Sequence, residues 1–119
     1  MRNKYLSFTQ EKETQPFESA EEAWFWFCRC EQIGYPRPRN NTSNVVRPCE
    51  TSDIFITLKN LFKTGILKSA HIKVLTKYGF EQVPPHPHFG DSLKICKLWK
   101  EALSFLESLL RKKGIVYCL

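Results

Sequence analysis

The stretch from Asp53 to Gly79 most narrows what this chain can become, because two short amphipathic segments meet there at Thr64-Gly65-Ile66-Leu67-Lys68. In the first, Ile54, Phe55, Leu58, Leu61 and Phe62 follow the i, i+1, i+4, i+7, i+8 spacing of one helical face. Thr51 or Ser52 is the expected cap, with Asp53 in the first turn. In the second, Ser69 is the expected cap of a helix ending at Gly79. Its His71, Val74, Leu75 and Tyr78 share one face, and Lys73, Thr76 and Lys77 share the other. Apolar stripes of this kind are stabilised mainly by tertiary packing, so the pair needs other helices to lie against.

Those helices are legible on both sides. Ser19-Ala20-Glu21-Glu22 has the spacing of a capping box, in which Ser19 accepts from the Glu22 amide and Glu22 reaches back to the Ser19 amide. The helix it opens runs to about Ile33, with Gly34 as a left-handed stop. It carries Ala23, Trp24, Phe25, Trp26, Phe27, Cys28, Cys30 and Ile33 almost all round its circumference, which makes it a core helix. Asp91 or Ser92 opens the longest helix, expected to end near Lys113 before Gly114, with Arg111, Lys112 and Lys113 complementing the helix dipole. Its stripe of Ile95, Leu98, Trp99, Ala102, Leu103, Phe105, Leu106, Leu109 and Leu110 is wider than a coiled-coil seam, and Leu93 falls outside it. The fold class expected is therefore all-α, a small orthogonal bundle of about four helices containing a helix-turn-helix-like pair.

Between these elements the sequence turns polar or proline-rich. Residues 1 to 16 lack periodicity and end in Pro16, as a flexible arm would, leaving 17 to 119 as a single helical domain. Gly34 to Cys49 holds three prolines and a polar run, which exclude regular helix and leave a long loop bearing Arg37, Arg39 and Arg47. Phe80 to Gly90 contains Pro84, Pro85 and Pro87 and reads as a stiff extended strap that cannot be helical. The end, Ile115-Val116-Tyr117-Cys118-Leu119, is apolar enough to fold back or to meet a partner.

A chain of 119 residues can bury one sizeable core and needs no second domain. Its longest apolar run, Ala23 to Cys28, is far below the roughly 20 residues of a membrane span, so no membrane association is expected. The first eight residues turn polar before a signal-peptide core can form, and a cytoplasmic location is expected. The five cysteines are unevenly spaced, without a Cys-x-x-Cys pair, and fit reduced thiols better than a disulfide framework or a zinc ribbon.

Catalytic signatures are sparse. No Gly-rich phosphate loop, His-Glu-x-x-His or Gly-x-Ser-x-Gly occurs, and nothing calls for a cofactor or metal. The best enzymatic candidate is Cys49, whose thiol would be activated if the helix N-terminus lowered its pKa and a histidine approached. His71 lies on an apolar face, where a packed, hydrogen-bonded role is expected, and His86 and His88 alone make a weak metal site. No catalysis is expected.

Charge points elsewhere. The chain is net +6, and residues 1 to 34 carry 4 basic and 6 acidic side chains, so the positive character belongs to the remainder. Within Asp53 to Gly79, Lys59, Lys63, Lys68, Lys73 and Lys77 face a single acid, Asp53. A basic helix-turn-helix pair suits DNA or RNA. The expected contacts are Lys68, Lys73, Thr76 and Lys77, assisted by Lys59, Lys63 and the loop arginines Arg37, Arg39 and Arg47. Leu61 stands where the usual motif has a small residue. The outward face also lacks Arg, Asn and Gln, the residues that read bases bidentately, so lysines would give affinity more than sequence reading. The expected function is a small basic nucleic-acid-binding protein, in the manner of a helix-turn-helix transcriptional regulator. The alternative is a non-enzymatic adaptor presenting the C-terminal tail or the Pro84 to His88 strap to a protein partner.

Four stretches also carry a family likeness. Phe17 to Trp26, Arg47-Pro48-Cys49-Glu50, His71 to Gly79 and Lys113-Gly114-Ile115-Val116 together resemble a group of small uncharacterised alphaproteobacterial proteins. The resemblance covers residues 17 to 116. It implies a bacterial cytoplasmic protein read as one unit, and it implies no particular activity. Where that group uses arginine this chain uses lysine, a change that removes bidentate contacts.

Overall fold

A computed structural model describes residues 14–33 and 46–117. Four helices dominate it: α1 (Ala20–Ile33), α2 (Thr51–Lys63), α3 (Ser69–Glu81) and α4 (Leu93–Lys112). Two isolated parallel bridges, Thr14 with Val46 and Phe17 with Val116, are the β-type pairings among the described residues. The all-α class and the number of helices are as the periodicity predicts.

α4 packs against each of the other three helices, and so does α1. α2 and α3, although joined by a short turn, make their extensive contacts with α1 and α4 rather than with each other. The core that results holds Phe17, Trp24, Phe27, Ile54, Leu61, Leu67, Leu75, Trp99, Leu106, Leu110 and Val116. α1 is the core helix its composition demands, with Ala20, Ala23, Trp24, Phe27, Cys28 and Cys30 all buried.

Helix ends depart from the expected residues in a consistent way. α2 is capped by Glu50 rather than Thr51 or Ser52, because the Asp53 carboxylate at the third helical position reaches back and accepts from the Glu50 amide at 2.7 Å. α3 is capped at Lys68 rather than Ser69, and there His71 takes the reaching-back role, its Nδ1 accepting from the Lys68 amide at 3.0 Å. At α1 the Ser19 hydroxyl accepts from the Glu22 amide as expected, but the Glu22 carboxylate takes the Glu18 amide instead of that of Ser19. Ser92 caps α4, accepting from the Ile95 amide at 3.2 Å.

Gly79 is not the stop of α3. The helix runs two residues further and ends on Gln82, which adopts the left-handed conformation at φ +60°. Glycine is the usual residue there, and Gln82 holds the position through its side chain. Its amide nitrogen donates to the carbonyls of Phe25 and Gly79, and its amide oxygen accepts from Arg29. Gly79 instead marks a close approach of α1 to α3: a Cβ added there would lie 2.4 Å from Trp24 Nε1 and 2.6 Å from Cys28 Sγ. That gap lets the Trp24 indole donate to the Leu75 carbonyl at 2.9 Å.

Two extended segments close the fold. Phe17 pairs with the chain end, donating to the Ile115 carbonyl and accepting from the Tyr117 amide. The terminal segment folds back and buries Ile115 and Val116 in the core, so these two apolar residues are not available to a partner. Residues 14 to 16, the last of the expected arm, are tethered: Gln15 donates to the Val46 carbonyl, and Arg47 donates to the carbonyls of Gln15 and Pro16. Residues 1 to 13 lie outside the described part. The strap is also not wholly extended, since Pro87–Phe89 forms one 3-10 turn. Proline suits the first position of such a turn, where no backbone donor is needed.

Asp91 fastens that strap to α3. One carboxylate oxygen accepts from the Tyr78 hydroxyl at 2.5 Å and the other from the His86 amide at 2.9 Å. The hydrogen bond from Tyr78 leads the causes that lower the Asp91 pKa, and the same bond, followed by burial, raises that of Tyr78 to about 12. A carboxylate with a depressed pKa stabilises the fold at neutral pH and loses that contribution as pH falls through its folded value. A phenol with a raised pKa does so at the other end: above about 10 the unfolded chain ionises first, and the contribution disappears as pH climbs towards about 12. Melting temperatures of wild type and Tyr78→Phe should therefore differ in favour of wild type near pH 7 and converge between pH 10 and 12. A gap that stays constant over that range would refute the assignment.

Candidate nucleic-acid interface

The outward faces of α2 and α3 hold most of the side chains that the sequence nominates. Lys59 and Lys63 on α2, Lys68 at the cap of α3, and Lys73, Thr76 and Lys77 along α3 are all exposed. Gly65, at φ +85°, makes the turn between the two helices, and Leu67 behind it is buried as an anchor. Among the described residues, Lys59, Lys63, Lys68 and Lys73 have no carboxylate within ion-pair distance, whereas Lys77 is bridged to Glu81 at 3.0 Å.

Arg47 is placed differently. Its guanidinium lies 4.1 Å from the centroid of the Phe17 ring, donates to two backbone carbonyls and pairs with Glu22 at 3.4 Å. Together these contacts link the 14–17 segment, through Arg47, to Glu22 on α1, so this arginine is committed inside the fold. Arg37 and Arg39 fall outside the described residues. Other cations are similarly engaged: Arg111 pairs with Glu107 at 2.7 Å, and Lys113 donates to the buried Thr57 hydroxyl at 2.7 Å.

The face of α2 differs from the expected one. Its buried line is Ile54, Thr57 and Leu61 with Leu58 alongside, spaced i, i+3, i+7, while Phe55 and Phe62 are 50% and 48% exposed. The helix is rotated so that a threonine, not a phenylalanine, enters the core. Thr57 can be buried because its hydroxyl donates to the Asp53 carbonyl at 2.9 Å and accepts from Lys113, so it brings no unpaired polar group inside. Phe55, Lys59 and Phe62 then form one outward stripe, joined by Ile56 at 47% and, in the turn, Ile66 at 45% exposure.

His71 is buried, held by the Lys68 amide at Nδ1 and by Glu101 at 3.1 Å from Nε2, the packed role its apolar face predicts. Cys49 is not an activated thiol: burial, then the neighbouring Asp53 and Glu50 charges, push its pKa up to about 11. Arg47 acts in the opposite direction but ranks below burial and both carboxylates. The His86 and His88 rings stack on each other at 4.9 Å, and no group of three or more His, Cys, Asp or Glu among the described residues is arranged to hold a metal.

A cleft of about 770 Å³ lies between the start of α1, the Pro84–His86 strap and α4. Its two carboxylates are occupied in joining helices, Glu21 accepting from Trp99 Nε1 at 3.2 Å and Glu107 from the Ala20 amide at 3.0 Å. No helix among the described residues is long and apolar enough to cross a membrane. No protein-family model matches the chain, and neither the curated proteins nor the solved structures yield a similar sequence or fold.

Proposed function

We propose that this chain is a small nucleic-acid-binding protein that presents the helix-turn-helix-like pair α2 and α3 to the phosphate backbone of DNA or RNA, as a regulator in a bacterial cytoplasm would. The observation that carries this reading is the run of exposed, unpaired cations along the pair. Arg47, Arg111 and Lys113 are used up by internal partners, whereas Lys59, Lys63, Lys68 and Lys73 stand exposed on two consecutive helices, as Lys94, Lys97, Lys100 and Lys112 do on α4, without a carboxylate within ion-pair distance among the described residues. Unpaired lysines at such density maintain a positive field that a polyanion neutralises by displacing its own counterions.

Because lysine is a point charge, binding should be strong at low salt and weakly selective. Affinity measured across a salt series should fall with a log–log slope of about −0.9 per phosphate contacted on a duplex, or about −0.7 on a single strand. Lys73→Gln should flatten that slope by about one phosphate equivalent. Lys77→Gln should change it less, since Lys77 must first leave Glu81. Absence of binding at 50 mM salt would reject the proposal.

A further inference from the structure

The exposed phenylalanines of α2 remain unexplained by a purely electrostatic surface. Phe55 and Phe62 are seven residues apart, two helical turns or about 10.5 Å along the axis, and therefore on the same side. Lys59 lies between them, four residues after one and three before the other, and Lys63 follows Phe62. Half of each phenylalanine is open to solvent, and neither lysine has an ion-pair partner among the described residues. The acid on this helix, Asp53, sits in the first turn and is occupied by the Glu50 amide. The stripe thus offers two aromatic surfaces and two cations, with no competing anion paired to them among the described residues.

We propose that this stripe binds single-stranded nucleic acid, with Phe55 and Phe62 as stacking surfaces for bases and Lys59 and Lys63 as contacts to the intervening phosphates. This rests on the nucleic-acid reading above and specifies its ligand. In a duplex the base faces are stacked on one another and only hydrogen-bonding edges are presented, to which a phenylalanine has little to offer. In a single strand every base has a free face, and stacking on an aromatic ring tolerates any sequence. The outward side of α3, with lysines and a threonine but no Arg, Asn or Gln, is equally suited to sequence-tolerant contact.

Other occupants fit less well. A second copy of the chain would bring Lys59 and Lys63 against the same charges. A helix lying in an anionic membrane surface separates its apolar face from its basic one, whereas here Lys59 stands between the two rings and the main apolar face of α2 is already in the core.

The test is fluorescence polarisation of the full chain with a labelled 15-nucleotide oligothymidylate, a duplex of equal length, and phosphatidylserine vesicles. The oligothymidylate should bind more tightly than the duplex. Phe55→Ala and Phe62→Ala, at half-exposed positions, should leave the circular dichroism unchanged and should each weaken binding about tenfold without altering the salt slope. Phe62→Trp should retain affinity and Phe62→Leu should not, which separates stacking from general hydrophobicity. If the leucine variant binds as well as wild type, or the duplex is preferred, while lysine removal still weakens binding, the stacking proposal falls and the electrostatic reading survives. If neither oligonucleotide binds at low salt, or only the vesicles bind, both fall.

Discussion

Gly79→Ala is expected to lower the melting temperature by about 8–15 °C, a loss of about 2–4 kcal/mol, even though alanine is the better helix former. Propensity alone favours the substitution by about 1 kcal/mol at a position inside α3. Sterics oppose it, because the new methyl group would stand 2.4 Å from Trp24 Nε1 and 2.6 Å from Cys28 Sγ. Overpacking of this degree costs about 1–3 kcal/mol. The indole must also withdraw from the Leu75 carbonyl, leaving a buried N–H without its partner at about 1–3 kcal/mol more. The sum outweighs the gain in helix propensity. In a Trp24→Phe background, where no indole N–H needs the gap, the same substitution should cost markedly less. This coupling is measurable as a double-mutant cycle by thermal or urea denaturation. A Gly79→Ala protein that melts higher than wild type would show that α1 and α3 do not approach as described.

Gly79 also illustrates which parts of the fold sequence reasoning reaches. Periodicity finds all four helices and their approximate extents, because burying an apolar stripe is a property of many residues together. The role of a single residue is less accessible. A glycine near the end of a periodic segment carries the signature of a left-handed stop, and its actual task depends on the indole of another helix. The left-handed position falls to Gln82, whose side chain binds α1, a contact with no local trace in the sequence.

The rotation of α2 has a similar origin. Ranking residues by hydrophobicity places Phe55 and Phe62 inside, yet Ile54, Thr57, Leu58 and Leu61 also form a regular stripe, and it is this one that meets the core. Thr57 is the residue that a hydrophobicity count discards. Its cost of burial vanishes only through the Asp53 carbonyl and the distant Lys113. The sequence signal that was available is the i, i+3, i+7 set Ile54, Thr57 and Leu61. A threonine able to bond back to the carbonyl four residues earlier completes it. The exposed lysines were legible because solvation of a charge needs no partner, and Arg47 was not, because its partners lie 25 to 32 residues away.

His71 supplies the second large effect. Replacing it by alanine is expected to destabilise the protein by about 2–4 kcal/mol, for three reasons that act at one place. The Lys68 amide loses its acceptor, an N-terminal cap worth about 1 kcal/mol. The buried ring leaves a cavity under the α2–α3 turn, where the imidazole now meets Phe105 edge-on at 6.4 Å. Glu101 loses the bond that ties α4 to the start of α3. His71→Asn tests the division between these contributions, since its shorter side chain can still accept from the Lys68 amide but does not reach Glu101 or fill the cavity. Asparagine should therefore recover about 1 kcal/mol of the alanine loss, read from urea denaturation midpoints at constant m-value. Because His71 faces inward, either variant that remains folded should keep the nucleic-acid affinity of wild type. A His71→Ala protein as stable as wild type would mean that the cap and the bridge to α4 do not hold the α2–α3 turn. A folded variant with lost affinity would instead place His71 within the interface, against its burial.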